Sequence, residues 1–177
     1  MFQGIGKYVR DVLGIKYMPK GADMEGEKEV FHKMLENSQK KIHIVAGELN
    51  PDYFEPKFPE IIRRKIEGNS NFKVSLLFSR EATNETDVIA NIKDRNPKLA
   101  LVWQDYPKNI IVYWVKKRPQ YHFYIIDDSL LLEEKHLTET PKPILTIENN
   151  KKMANRYIEH FEKIRNHRNI VKELNLN

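Results

Sequence analysis

The sequence predicts an α/β fold, a single domain in which apolar strands alternate with amphipathic helices. Two observations predict it. Short β-branched, apolar runs recur: KIHIVA at 41–46, FKVSLLFS at 72–79 and NIIVYWV at 109–115. The stretches between them carry helical spacing, and the order helix, strand, helix, strand calls for a crossover that lays two strands parallel. At 177 residues the chain suits one domain with a core that needs no covalent staple.

Each element has a local reason. Phe2, Ile5, Tyr8, Val9, Val12 and Leu13 recur at helical spacing, so residues 1–26 are expected to form an amphipathic N-terminal helix and a linker broken by Pro19, Gly21 and Gly26. Residues 27–177 are expected to form the domain proper. Val30, Phe31, Met34 and Leu35 make one stripe of a helix over 27–40. KIHIVA is a buried strand, and 47–58, with Pro51 and Pro56, reads as a loop. Pro59 suits the first turn of a helix over 60–67, which Gly68 ends. A strand over 72–79 follows. A weaker helix over 86–94 is stopped by Asn96 and Pro97. Strands are expected over 109–115, 121–127, 129–133 and 144–148. A last helix over 149–166 has Met153, Tyr157, Phe161 and Ile164 as its core stripe.

Composition excludes several classes. There is no cysteine, hence no disulfide framework and no thiolate metal site. No apolar run approaches the ~18–20 residues that cross a membrane, and the first residues lack a signal-peptide pattern. A cytoplasmic protein is the expectation. The net charge is +5. Between 149 and 177 stand Lys151, Lys152, Arg156, Lys163, Arg165, Arg168 and Lys172 against Glu159, Glu162 and Glu173. A basic face attracts phosphates, although a solvated helix face explains it as well.

The stretch QYHFYIIDDSLLL at 120–132 carries the most chemistry. On a strand, Gln120, His122, Tyr124 and Ile126 share one face, and Tyr121, Phe123 and Ile125 the other. Lys116, Lys117 and Arg118 precede it and Asp127 and Asp128 follow. A histidine in that setting can bind phosphate or shuttle protons. PQYHFYIIDDSLLLEE resembles the core hairpin of the phospholipase D-like superfamily, whose motif is His-x-Lys, four residues, then Asp. The resemblance covers about residues 27–168, including the terminal PILTIENNKKMANRYIEHFEKI. It implies a mixed β-sheet flanked by helices. It also implies a site in which the motif histidine attacks a phosphodiester, the lysine holds the phosphate, and two motifs meet across a dimer or pseudo-dimer.

This chain departs from that pattern. Gln120 stands at the histidine position and His122 at the lysine position, while Asp127 keeps the motif aspartate. An amide is neither nucleophile nor base near neutral pH. The family's small-residue turn is replaced by Glu134, Lys135, His136 and Leu137. The vestigial catalytic candidates are therefore Gln120, His122 and Asp127, and the binding candidates Lys116, Lys117, Arg118 and His122. With one motif copy, a paired site needs a homodimer. Degenerate domains of this kind serve as effector modules of archaeal transcription regulators, but no helix-turn-helix is expected before Glu27.

Other clusters weigh less. His32 and Glu36, or Glu25 and Glu29, are four apart on a helix but lack a third metal ligand. His160 and His167 are expected to face solvent. His43 alternates with Ile42 and Ile44 and either points into a cleft at the strand's carboxyl end or packs. Trp103, Tyr106, Tyr113 and Trp114, near Lys108, Lys116 and Arg118, stack bases or fill the core, and the core is favoured. No glycine-rich phosphate loop, serine elbow or zinc pattern occurs. No cofactor and no metal are expected. The expected function is a non-catalytic phospholipase D-like domain that binds a phosphate-bearing partner such as nucleic acid, or a regulatory, ligand-sensing module. The alternatives are a homodimeric divergent phosphodiesterase or nuclease using His122 or His136, and a structural dimerisation unit.

Overall fold

The computed structural model describes residues 15–17, 24–80, 82, 84–116, 119, 122–133, 145–147, 150–167 and 169–176. The elements are β1 (Ile15–Tyr17), α1 (Met24–Asn37), β2 (Lys41–Ala46), α2 (Pro51–Phe54), α3 (Lys57–Gly68), β3 (Lys73–Ser79), α4 (Glu85–Arg95), α5 (Pro97–Asp105), β4 (Ile110–Val115), β5 (His122–Ile126), β6 (Ser129–Glu133), β7 (Leu145–Ile147), α6 (Lys151–Arg165) and β8 (Val171–Leu174).

The apolar runs form the middle of one mixed sheet, ordered β1-β7-β6-β5-β2-β3-β4-β8. β2, β3 and β4 are parallel, and β5 returns antiparallel beside β2. A parallel pair needs a crossover, and right-handed crossovers place α2 to α5 with α1 on one face. That face holds the larger core. Phe31 of α1 lies against Tyr124, Phe58 and Phe54, with ring centroids 4.8, 6.0 and 6.2 Å away. α6 packs on the opposite face. There Phe161 and Ala154 are fully buried with Val45, Leu77, Phe123 and Ile125. The central strands are thus covered on both sides, which is why they read as continuous apolar runs.

Several expectations change. The loop over 47–58 contains α2, because Pro51 suits a first helical position and the Asn50 side chain accepts from the Asp52 N–H at 3.1 Å. Pro97 both ends α4 and starts α5, so the expected stop is a junction of two helices. The tail beyond α6, counted with the last helix by charge, returns as β8 beside β4 and carries Lys172. The expected helix over residues 2–13 lies outside the described residues. Ile15–Tyr17, in the stretch expected to be helix and linker, pairs with β7, and α1 begins at Met24.

Candidate functional site

The carboxyl ends of β2, β3 and β4 and the amino end of β5 share one edge of the sheet, where open α/β folds bind ligands. Hydrogen bonds stitch this edge together. Ser79 donates to the Gly47 carbonyl through its N–H at 3.0 Å and its hydroxyl at 2.7 Å. The Trp114 indole donates to the Arg80 carbonyl at 3.0 Å, and the Asn96 amide to Leu49 at 3.0 Å. Glu48 pairs with Arg95.

His122 opens β5 at this edge and is 5 % exposed. Alternation puts it on the Tyr124 and Ile126 side, which packs against the larger core. Lys116 is exposed at the end of β4. β4 and β5 are separated by β2 and β3, three strand spacings or about 14 Å. Lys116 and His122 are neighbours in sequence and not in space. Lys117, Arg118 and Gln120 lie outside the described residues, as do Glu134 to Leu137.

Asp127 sits at the other end of the strand, five residues or about 16 Å from His122. Its carboxylate accepts three backbone N–H bonds, from Gln39 at 2.6 Å and from Lys40 and Lys41 at 2.9 Å each. Its own N–H donates to the Lys41 carbonyl at 2.9 Å. Its φ of 52° is left-handed backbone, which aspartate tolerates better than most residues. Asp127 is a clasp between the β5–β6 turn and the start of β2.

His32, His43 and His160 are distributed over both layers. His43 does not point into the cleft. It faces α6, with its ring centroid 5.0 Å from Phe161. Burial, with Lys41 and Arg165 nearby, lowers its pKa from 6.5 to about 4, so it packs as a neutral ring. Glu36 pairs with Arg64, and no cluster among the described residues suits a metal ion. Trp103, Tyr113 and Trp114 are buried core, and Tyr106 is partly buried against the larger core with its hydroxyl on Glu67. No helix among the described residues is long and apolar enough to cross a membrane.

Sequence reasoning noted the basic balance of the last helix but not that four of its residues share one stripe. Lys152, Arg156, His160 and Lys163 are all exposed on one face of α6. Beside them lies a cavity of about 510 Å³ lined by Met153, Arg156, Tyr157, Glu159, His160 and Lys163. The available signal was that each of the four stands one residue before a member of the core stripe.

No family model and no curated protein matches the sequence. Solved structures do. The phospholipase D family member Nuc from Salmonella typhimurium superposes with a TM-score of 0.57 at 14 % identity, over 90 % of this chain and 95 % of Nuc. The chain has a phospholipase D-like fold. The same fold relates it to phosphatidylserine synthase from Haemophilus influenzae Rd KW20, with TM-score 0.61, 15 % identity, 97 % of this chain and 43 % of that one. It also relates it to TrmBL2, an archaeal chromatin protein, with TM-score 0.60, 10 % identity, 91 % of this chain and 59 % of that one. The chain thus spans less than two thirds of each of these two proteins. Within this fold, the carboxylate of Asp127 serves the backbone.

Proposed function

We propose that this chain is a non-catalytic phospholipase D-like domain that binds a phosphate-bearing partner, nucleic acid before others. One observation carries the reading. The residue matching the motif lysine, His122, is buried at 5 % exposure, which supports the non-catalytic half of the reading. Gln120 at the nucleophile position points the same way, since an amide does not attack phosphorus. The role of Asp127 supports it too, because the aspartate is retained for a reason that needs no chemistry. The nucleic-acid choice draws on the basic balance of the chain and on the DNA-binding chromatin protein among proteins of this fold. Lys116, Lys117 and Arg118 stay candidates for phosphate contact, while His122 acts through packing. A homodimer belongs to this reading, since the family's paired site takes two motifs and this chain has one; sedimentation equilibrium tests it.

Two measurements test the function. Incubation with plasmid and with a generic phosphodiester should give no turnover; turnover abolished by His122→Ala would overturn the reading. Titration with labelled single- and double-stranded DNA at two salt concentrations should give binding that weakens with salt. Absence of binding at both would sink the nucleic-acid version.

A further inference from the structure

The cationic stripe of α6 adjoins the helix's buried stripe. Met153, Tyr157, Phe161 and Ile164 pack toward the sheet. Lys152, Arg156, His160 and Lys163 fall at the same steps of four, four and three, turned by one residue. The cavity opens along that seam. Its floor is apolar and aromatic. Tyr157 meets Phe123 edge-on with centroids 5.2 Å apart, and His160 lies 5.9 Å from the same ring. Two cations, Arg156 and Lys163, line it against one carboxylate, Glu159. Among the described residues Lys152, Arg156 and Lys163 enter no ion pair, whereas Arg165 is paired with Glu162.

We propose that this seam binds single-stranded nucleic acid. The inference rests on the binding reading above and moves its main contact surface from the strand ends to α6. The cavity falls within the roughly 300–1,000 Å³ of ligand sites, far more than a lone phosphate fills. From Lys152 to Lys163 the stripe runs eleven residues, about 16 Å, so it follows a backbone and does not merely clamp one group. Single-strand binders combine such a basic track with aromatic faces on which bases stack, and the seam offers both in Arg156, Lys163 and Tyr157. A duplex keeps its bases stacked inward and would touch only the cations. An acidic peptide could use the cations but would gain nothing from Tyr157.

The test is fluorescence anisotropy of a labelled single-stranded oligothymidylate with the full chain at about 50 and about 200 mM salt. Arg156→Glu/Lys163→Glu should weaken binding at the lower salt by about tenfold or more and flatten the log–log salt slope by about 1.4, the share of two phosphate contacts. Lys57→Glu/Lys93→Glu makes the same change of charge on exposed residues of the other layer and should stay within about twofold of wild type. Tyr157→Ala should weaken binding and leave the slope intact; thermal melts verify that each variant is folded. If the α6 pair binds like the control pair, or if Lys116→Glu alone abolishes binding, the seam is wrong and the binding reading survives. Equal competition by polyglutamate of matched charge, or preference for duplex, also overturns the single-strand assignment. A wild-type chain that binds no nucleic acid ends both.

Discussion

The two faces of the sheet handle charge differently. On the face of α1 to α5, four cations are spent on neighbours. Arg63 bonds Asp105 at 2.6 Å, Arg64 bonds Glu36 at 2.5 Å, and Lys98 and Arg95 reach Glu60 and Glu48 at 3.3 Å. These pairs link helix to helix and to the loop after β2. On the other face one helix stands alone, and Lys151, Lys152, Arg156 and Lys163 have no carboxylate partner among the described residues. A cation already paired has little field left for a ligand, whereas an unpaired row keeps it. Chain-wide net charge is a poor guide to binding for this reason.

The largest test of this contrast lies in the core of the five-helix face. Phe31→Ala removes a ring that meets Tyr53, Phe54, Phe58 and Tyr124 and should cost about 3–5 kcal/mol, read by urea denaturation. Next comes the clasp. Asp127→Ala leaves three amides without their acceptor and should cost about 2–3 kcal/mol, while Asp127→Asn keeps an acceptor and should lose about half of that. A similar loss for both would show that the charge, not the geometry, holds the turn.

On the α6 face, His43 gives a pH signature. Its pKa is about 4 when folded against 6.5 when free, so the unfolded chain binds the proton more tightly. Stability from this site is full above about pH 6.5 and is lost as pH falls toward 4, by about 3–4 kcal/mol at most. His43→Leu should flatten thermal stability across that window, and an unchanged pH profile would show that the ring is not desolvated. The smallest effects separate the surfaces. Arg64→Ala should cost under about 1 kcal/mol, and Lys163→Ala should fall within about 0.5 kcal/mol of wild type.

The central sheet was legible because β2, β3, β4 and β5 are covered on both faces and so spell unbroken apolar runs. β8 was not, since VKEL buries only its two ends and resembles a charged tail. α2 and α5 were hidden by Pro51 and Pro97, residues that break a helix within and favour one at its start. The site fared worse for a topological reason. Sequence nearness joined Lys116 to His122, but strand order inserts two strands between their ends. The role of Asp127 was invisible because its partners lie 86 to 88 residues earlier.

That distance gives the clasp a place in time. The helix–strand units from α1 to β4 assemble from segments near one another in sequence, and such contacts form early. β5 must then come back past β3 to reach β2, which closes a loop of some eighty residues and carries the entropy of doing so. Asp127 engages the Gln39–Lys41 amides only once that return is complete. Pulse-labelled hydrogen exchange at Lys40 and Lys41 would therefore act as a clock for the last step of sheet assembly, with protection at Leu76 of β3 expected to come first.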